Sequence, residues 1–300
     1  MNLRRWVQIA ATLTTNAWWL TPFGGPVIYG GRLKSFCSPG LNCYSCPAAA
    51  LSCPIGTLQF MFASLRPSLE VGKVHLGLYV LGFLGTIGAL VGRMPCAWLC
   101  PFGLFQGLLY RIPSPKLAIP RQLYFLKYVF LALFVVLLPA LVLDEFGYGQ
   151  TWYCKYVCPA GTLEAGLPLL AMQPSLRSMA GWLLAGKLTI LALFLAWMVV
   201  SKRPFCRTSC PLGAFYSLFN RISVLRLTYD EDKCVRCKAC ERHCPMGVAF
   251  YEAANHQNCI RCLRCMLHSC RYGAIGYEIA GVRGPGMAEG DGPYKDPLRP

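Results

Sequence analysis

The chain has 300 residues, of which 55% are hydrophobic and only 14% are charged, and its mean hydropathy is +0.43. This composition excludes a disordered chain and a nucleic-acid-coating protein, so we expect no nucleic-acid partner. The chain also carries 18 cysteines and a formal net charge of +16. In so apolar a chain, the charge indicates basic loops beside a membrane, and the cysteines have a use other than disulfides that compensate for a small core.

Four stretches of the chain are predicted to cross a membrane as helices. Residues 74–92, 124–143 and 180–200 each supply about the 20 apolar residues that a bilayer core requires. Residues 6–29 form a weaker first span, because threonines and an asparagine interrupt it and a Gly-Gly-Pro run ends it. Lys127 and Lys187 fall inside predicted spans, where a charge indicates either function or a side chain that snorkels to the interface.

The distribution of basic residues predicts the orientation in the membrane. Ten lysines and arginines lie in segments predicted to be on the same side of the membrane as the N-terminus, and six lie in segments predicted to be on the opposite side. Because positive loops stay inside, we expect a multi-pass protein of the inner (cytoplasmic) membrane whose N-terminus and C-terminal region after Val200 are both cytoplasmic.

The pattern C-P-x-G occurs four times, each time after a predicted span. The copies begin at Cys53, Cys100, Cys158 and Cys210. Residues 93–112 align with residues 203–222, and the first and third copies read CPIGTLQ and CPAGTLE. The membrane region is therefore predicted to be a duplicated two-span unit. Alternating spans would put the first and third copies at the outer face and the second and fourth at the inner face.

Each copy of the motif puts a cysteine at a predicted helix N-terminus. Proline disfavours helix at the residue before it and suits the first helical position, where free N–H groups favour a thiolate or a bound anion. In three copies another cysteine stands four residues earlier, on the same helical face: Cys96, Cys154 and Cys206. The first copy has Ala49 at that position. Its substitutes are three upstream cysteines: Cys37, Cys43 and Cys46.

Two copies together supply enough thiolates for a four-cysteine cage. The predicted inner site consists of Cys96, Cys100, Cys206 and Cys210. The predicted outer site consists of Cys53, Cys154, Cys158 and a fourth ligand that is Cys46, the first choice, or Cys43. We expect each site to hold a [4Fe–4S] cluster, with redox-active dithiols, outer-face disulfides or zinc as the alternatives.

Beyond Asp230 the composition changes, and two cysteine runs follow. Cys234-x2-Cys237-x2-Cys240-x3-Cys244-Pro is the run of bacterial ferredoxins, whereas the second run, from Cys259, has x4 before Cys270. In two-cluster ferredoxins the fourth cysteine of each run serves the other cluster. One [4Fe–4S] cluster is thus predicted to be bound by Cys234, Cys237, Cys240 and Cys270. The other is predicted to be bound by Cys244, Cys259, Cys262 and Cys265. A zinc ribbon, the alternative, would show two spaced CxxC knuckles instead of triplets.

These features define a fold class and three regions. We predict an α-helical integral membrane protein with four transmembrane helices, followed by a C-terminal α+β ferredoxin domain, with two [4Fe–4S] clusters in that domain and up to four in all. The membrane domain covers residues 1–222, the ferredoxin domain 223–280 and a flexible Gly/Pro-rich tail 281–300. Basic residues among the ferredoxin cysteines offer a surface to an acidic partner or are ordinary solvated side chains.

The combination of four spans, paired C-x3-C-P motifs and ferredoxin runs resembles the membrane-bound polyferredoxin family of the NapH, MauN, NosR and CcoG type. The resemblance covers residues 6–277 and departs from the family at Ala49, at the extra upstream cysteines and at the x4 gap. It implies electron passage between a quinol pool or cytoplasmic donor and an extracytoplasmic acceptor. Membrane lipid and other redox proteins, such as ferredoxin-like, cytochrome or oxidoreductase subunits, are the implied partners, and quinone stays open.

We expect an electron-transfer subunit without catalytic residues of its own, because no general base, nucleophile or phosphate loop is evident in the sequence. Two other classes stay open: a copper or disulfide reductase that uses the outer-face cysteines, and a redox sensor or assembly factor. A transporter is disfavoured, because the duplicated polar features are cysteines and not a substrate site at broken helices.

Overall fold

The computed structural model describes residues 3–20, 27–70, 72, 76–145, 147–178 and 181–284. The helices of its first half are α1 (Leu3–Thr15), α2 (Pro54–Ala63), α3 (Leu65–Glu70), α4 (Leu76–Val91), α5 (Met94–Trp98) and α6 (Pro101–Leu109). The second half contains α7 (Leu126–Val129), α8 (Leu138–Leu141), α9 (Pro159–Gly161), α10 (Leu167–Met172), α11 (Pro174–Ser178), α12 (Trp182–Val200), α13 (Pro204–Thr208) and α14 (Pro211–Phe219). Short 3-10 or π-helical segments cover Ala17–Leu20, Arg32–Ser35, Arg121–Phe125, Phe130–Leu137, Tyr153–Val157 and Thr162–Gly166.

Two helices among the described residues are long and apolar enough to cross a membrane. One runs without a break from Arg121 to Leu141 and includes α7 and α8, and the other is α12 (Trp182–Val200). Only 17% and 11% of their most apolar stretches are buried in the protein, which is unlike the core helix of a soluble fold. With 16 and 13 residues, α4 and α1 are shorter than the spans predicted at 74–92 and 6–29. Residues 21–26 and 74–75 of those spans lie outside the described residues. Two of the four predicted spans thus correspond to helices long enough to cross a membrane, and the other two stay predictions.

The sequence repeat is also a repeat of helices. A long apolar helix, α4 or α12, is followed by a pair of short helices, α5 and α6 or α13 and α14. The short helices of each pair meet at a cysteine, Cys100 or Cys210, whose backbone is extended and whose following proline starts the next helix. Cys53 and Cys158 cap α2 and α9 in the same way. All four motif copies therefore begin a helix, as the sequence predicts.

The C-terminal region folds around a small antiparallel sheet. Its strands β1 (Leu225–Tyr229), β2 (Ile275–Ile279) and β3 (Val282–Gly284) lie in the order β1-β2-β3. Between β1 and β2 lie α15 (Ala239–Arg242) and a π-helical turn at Cys265–Ser269. The predicted flexible tail, residues 281–300, contains β3, and its residues 285–300 lie outside the described part of the chain.

The sheet region is packed directly on the helical region. The Val224 N–H donates to the carbonyl of Ala89, at the end of α4, with an N···O distance of 2.8 Å. Trp98 of α5 donates from its indole nitrogen to the Arg261 carbonyl at 3.1 Å. Cys244 packs against the same apolar core that contains the inner-site cysteines. The sheet has a smaller core of its own, around Leu227 and Ile275. The two regions are therefore joined through the larger core.

Candidate iron–sulfur sites

The first predicted ferredoxin quartet lines one small cavity. Its cysteines are Cys234, Cys237, Cys240 and Cys270. Arg236 and Lys238 adopt positive φ angles of 51° and 58°, which turn the backbone around this cavity. The Arg236 N–H donates to the Sγ of Cys234 at 3.4 Å. The structure thus brings together the four cysteines that the spacing predicts.

The extra residue before Cys270 is accommodated by the π-helical turn at Cys265–Ser269. The Cys270 N–H donates to the carbonyl of Cys265, five residues earlier, at 2.9 Å. A π-turn holds one residue more than an α-helical turn, so the cysteine after it keeps its place at the cavity. Cys270 therefore stays with the quartet that the sequence predicts, despite the extra residue before it.

The second predicted quartet lines a neighbouring cavity. Its cysteines are Cys244, Cys259, Cys262 and Cys265. Arg261 and Leu263 repeat the positive φ angles of the first run, at 47° and 59°, and the Arg261 N–H donates to the Cys259 Sγ at 3.4 Å. Cys240 borders both cavities, so the two quartets are adjacent.

The inner quartet is buried between the two repeat units. Its members Cys96, Cys100, Cys206 and Cys210 are 5% to 6% exposed and belong to one apolar core. They are close enough for the Cys210 thiol to interact electrostatically with the other three. The Sγ atoms of Cys100 and Cys210 each accept the N–H of the glycine three residues later at 3.4 Å, as expected at a helix N-terminus.

Each repeat unit also holds the cysteines of the other at the inner site. Gln106 donates from Nε2 to the Sγ of Cys206 at 3.0 Å. Arg93 donates to the Cys206 carbonyl and Arg203 to the Cys96 carbonyl, both at 3.1 Å. These bonds fix two ligand-bearing segments that lie about a hundred residues apart in the chain.

The outer site is a cavity of about 310 Å³. Its cysteines are Cys43, Cys53, Cys154 and Cys158. A Cβ added to Gly161 would lie 3.7 Å from the Cys43 Sγ and 3.8 Å from the Cys158 Sγ, so these two thiols face one space. Gln59 donates from Nε2 to the Sγ of Cys154 at 3.0 Å, which repeats the bond of Gln106 at the inner site.

Cys43, and not the first choice Cys46, lines the outer cavity with the other three cysteines. The Cys43 N–H donates to the Oε2 atom of Glu164 at 2.7 Å, which ties it to the third motif copy. Cys46 is buried beside this cavity, near Lys34. Cys37, buried as well, lies 4.0 Å from the Thr57 hydroxyl.

The segment that carries Cys43 also touches the inner site. A Cβ added to Gly40 would lie 2.7 Å from the Cα of Cys100, so only a glycine fits there. The next residue, Leu41, lines the outer cavity. The inner and outer sites are therefore separated by a single thin layer of protein.

Buried cations lie beside the inner quartet and the second ferredoxin quartet. They are Arg93, Lys127, Arg203, Arg207, Arg261 and Arg264. No aspartate or glutamate is among the buried side chains beside these two quartets, and Glu164, the carboxylate at the outer site, is half-buried. Burial lowers the pKa of the Arg207 and Arg261 guanidinium groups to about 10, so the positive charge is costly there.

An anion is needed to balance these charges. Three of these arginines, Arg93, Arg207 and Arg261, have a buried side-chain nitrogen that lacks a hydrogen-bond partner. A buried charge that loses its partner costs about 3–5 kcal/mol. A [4Fe–4S] cluster held by four thiolates is negatively charged, so the cysteine quartets and the cations beside them fit this group.

The two lysines inside the predicted spans make contacts at or near these sites. Lys127 is fully buried and its Nζ donates to the Oδ1 of Asn258, so of the two alternatives the structure disfavours a side chain that snorkels to the interface. Lys187 borders the outer cavity, and its Nζ donates to the Cys154 carbonyl at 3.3 Å.

The geometry of the cysteines also concerns the alternatives to clusters, which are zinc sites and disulfides. No two of the 18 cysteines are joined by a disulfide bond in the structure. Among the described residues, no three His, Cys, Asp or Glu side chains converge closely enough to bind one metal ion. Zinc needs ligands about 2.3 Å from a single ion, whereas a cubane cluster spreads its four thiolates more widely.

Gln59, Gln106 and Tyr153 are site residues that the sequence reasoning missed. The glutamines stand six residues after the cysteine of their motif copy, so the aligned repeats carried the signal. Tyr153 is fully buried and donates from its hydroxyl to the Ser209 carbonyl at 3.0 Å. The position of Tyr153 directly before Cys154 was the signal available in the sequence. Its hydrogen-bond partner, Ser209, lies in another motif copy, so the sequence alone did not reveal the contact.

Comparison with known proteins places these motifs in a family. A profile described as a 4Fe-4S binding domain matches residues 75–120, 127–167 and 183–228, and a second profile with the same description matches residues 227–249. The methylamine utilization ferredoxin-type protein MauN of Paracoccus denitrificans is 30% identical over 248 residues, which cover 81% of this chain and 75% of MauN. The chain belongs to this 4Fe–4S ferredoxin-type family of electron-transfer proteins.

Further relatives extend the family to archaea and enterobacteria. An uncharacterized protein of Methanocaldococcus jannaschii is 35% identical over 193 residues, or 64% of this chain and 67% of the relative. The ferredoxin-type protein NapH of Escherichia coli is 29% identical over 204 residues, or 65% of this chain and 60% of NapH. No solved structure matches the chain. The three matches of the first profile contain motif copies two, three and four, and [4Fe–4S] clusters are the cofactors of this ferredoxin-type protein.

Proposed function

We propose that this ferredoxin-type protein relays electrons through four [4Fe–4S] clusters, between a cytoplasmic donor or the quinone pool and a redox partner in the membrane or beyond it. The observation that carries the proposal is the presence of four cysteine quartets, two of which have buried cations and no buried carboxylate beside them. When bound, the clusters supply one-electron transfer. The protein holds them in order and keeps water away.

The ligand assignment follows the cavities. Cys234, Cys237, Cys240 and Cys270 hold the first ferredoxin cluster. Cys244, Cys259, Cys262 and Cys265 hold the second. Cys96, Cys100, Cys206 and Cys210 hold the inner cluster. Cys43, Cys53, Cys154 and Cys158 hold the outer cluster, with Cys43 preferred to Cys46 because Cys43 lines that cavity.

Aromatic residues between the quartets support the order of the relay. Trp98 lies between Cys96 and Cys100 in the chain and bonds to Arg261, next to Cys262 of the second ferredoxin quartet. Tyr153 precedes Cys154 of the outer quartet and bonds to the Ser209 carbonyl, next to Cys210 of the inner quartet. One side chain therefore connects the second ferredoxin quartet with the inner quartet, and another connects the inner quartet with the outer quartet.

The exposed end of the relay is the first ferredoxin quartet. Cys237 is exposed, whereas the other 17 cysteines are buried or half-buried. The exposed arginines Arg242 and Arg271 lie beside the cysteines of this quartet. An acidic redox protein is the donor or acceptor that this surface suits.

The membrane arrangement completes the proposal. Helix α12 connects Lys187, bonded at the outer site, with Lys202, whose Nζ donates to the Arg242 carbonyl of the ferredoxin region at 3.1 Å. This supports an outer site on the opposite side from the ferredoxin region. We place the protein in the inner membrane, with α4 and the region around residues 6–29 as its two further spans and with the N-terminus and ferredoxin region in the cytoplasm.

Iron and acid-labile sulfide measured on anaerobically purified, full-length protein test the proposal. We expect about 16 iron atoms and 16 sulfides per chain, four for each cubane. A content near half of this would contradict the two clusters in the membrane region. In proteoliposomes, steady electron flux from an internal reduced donor to an external acceptor would separate a relay from a sensor, which needs no flux.

A copper or disulfide reductase is less well supported. It would use the two cysteines left outside the quartets, Cys37 and Cys46, but these are only 5% and 8% exposed. Alkylation in spheroplasts distinguishes the two functions, because rapid labelling of Cys37 and Cys46 from the outside would favour the reductase.

A further inference from the structure

A second large cavity lies where α1, α6 and the ferredoxin region meet, outside the four cysteine quartets. Its volume is about 280 Å³. Apolar side chains from two helices form part of its wall: Ile9 of α1, and Leu104 and Leu108 of α6. Pro245 and Arg264 close it from the ferredoxin side. The cavity is therefore built from three separate parts of the chain.

The polar wall of this cavity is strongly basic. It contains Arg4, Arg5, Arg111, Lys202, Arg203 and Arg264, and no acidic residue lines it. Arg264 is only 7% exposed, and its Nε has no hydrogen-bond partner. Because a buried guanidinium without an acceptor is costly, this wall favours an anionic ligand that brings its own oxygen atoms.

The cavity lies at the level of a membrane surface. Helix α12 is long enough to span a membrane and ends at Val200, and Lys202 of the cavity follows two residues later. Helix α1 exposes Leu3 by 73%, Trp6 by 58% and Leu13 by 49%, while Gln8 is buried at the cavity. Exposed apolar side chains that follow Arg4 and Arg5 suit a helix that enters the membrane from the headgroup region at its N-terminal end.

We propose that this cavity binds an anionic phospholipid. Its phosphate lies among the arginines and one acyl chain lies along Ile9, Leu104 and Leu108. Basic pockets on the cytoplasmic side of membrane proteins bind anionic headgroups in this way. Neutral quinone gains nothing from six cations, and free phosphate does not need the apolar wall. The inference depends on the membrane location only, so it fails or stands separately from the cluster assignment.

The test titrates delipidated, full-length protein in detergent with phosphatidylglycerol or phosphatidylcholine and detects bound lipid by native mass spectrometry. We expect tighter binding of phosphatidylglycerol. The double variant Arg5→Gln/Arg111→Gln should weaken that binding by about tenfold or more, because each basic residue near the surface contributes to headgroup attraction. The single variant Arg111→Gln should weaken phosphatidylglycerol binding less. Because Arg111 is exposed, this variant should fold normally, so a weaker binding in it would not result from misfolding.

The matched control is Arg32→Gln/Arg66→Gln, which removes the same charge from residues outside the cavity. We expect it to bind phosphatidylglycerol as the unchanged protein does. Equal binding of the two lipids, or the same loss in the control, overturns the proposal. Displacement of the lipid by an equal concentration of inorganic phosphate identifies a simple phosphate site and also overturns it, as does a co-purified quinone that the Arg111→Gln variant releases.

Discussion

Gln106 donates a hydrogen bond from its Nε2 to the Sγ of Cys206 at 3.0 Å. Gln59 makes the same bond, at the same distance, to the Sγ of Cys154. Each glutamine stands six residues after the cysteine of its own motif copy and reaches a cysteine of another copy. The duplicated unit therefore supplies both a ligand to its own site and a hydrogen-bond donor to a ligand from the other unit.

The variant Gln106→Leu is expected to lower the reduction potential of the inner cluster. A donor to a ligand sulfur stabilises the more negative, reduced state, so losing the bond makes reduction harder. The shift should be about 50 mV, on the order of 1 kcal/mol for one electron. A redox titration followed by electron paramagnetic resonance measures it. Gln59→Leu is the matched control and should shift a different signal, that of the outer cluster; one shared signal would refute the separate assignment of the two bonds.

The variant Cys43→Ser is expected to lose the outer cluster, whereas Cys46→Ser should keep it. Of these two cysteines, Cys43 lines the outer cavity and Cys46 does not, although only two residues separate them in the chain. Iron analysis should give a loss of about four iron atoms per chain for the first variant and no loss for the second. The opposite result would restore the ligand set that the sequence favours.

Removal of the clusters with an oxidant and a chelator is expected to lower the melting temperature sharply. Arg93 and Arg261 are at most 1% exposed and would lose the anion that balances them, at about 3–5 kcal/mol for such a buried charge. Circular dichroism at neutral pH follows the unfolding. The variant Arg93→Leu should destabilise the protein with clusters, yet cost much less without them. An equal loss in both states would show that Arg93 does not balance a cluster.

Reversal of two charges beside the exposed quartet, Arg242→Glu/Arg271→Glu, is expected to slow reduction by an acidic ferredoxin. Electrostatic steering raises association rates by about tenfold or more at low ionic strength and is screened by salt. Stopped-flow reduction should therefore differ between variant and unchanged protein at low salt and converge at high salt. The control Arg226→Glu/Arg283→Glu changes the same charge on strands β1 and β3. Equal slowing in this control would indicate a general charge effect and no specific docking surface.

The ferredoxin quartets were predictable because the spacing within each run nearly determines which cysteines meet. The π-turn before Cys270 shows how one inserted residue is tolerated, which spacing alone does not reveal. The inner quartet was predictable because its two halves are aligned copies with a proline-started helix in each. Here local helix chemistry and the repeat gave the same answer.

The outer site and the spans were harder to predict for physical reasons. Cys43 and Cys46 lie in an irregular loop, where no periodicity fixes the direction of a side chain, and the choice depends on the distant contact with Glu164. Hydropathy also predicts more spanning length than α1 and α4 have in the described chain. Apolar composition reports the surroundings of a segment, but helix length depends on where glycines and prolines end it.

Gly40 lies directly on the backbone of Cys100, and this contact has a consequence for the lifetime of the protein in an aerobic cell. It closes the inner quartet from the side of the outer site, whereas Cys237 at the other end is open to solvent. Oxygen and peroxide will therefore reach the exposed ferredoxin quartet first. A cluster bound there would be the one that is lost and rebuilt, whereas a cluster in the closed inner quartet would be assembled only once.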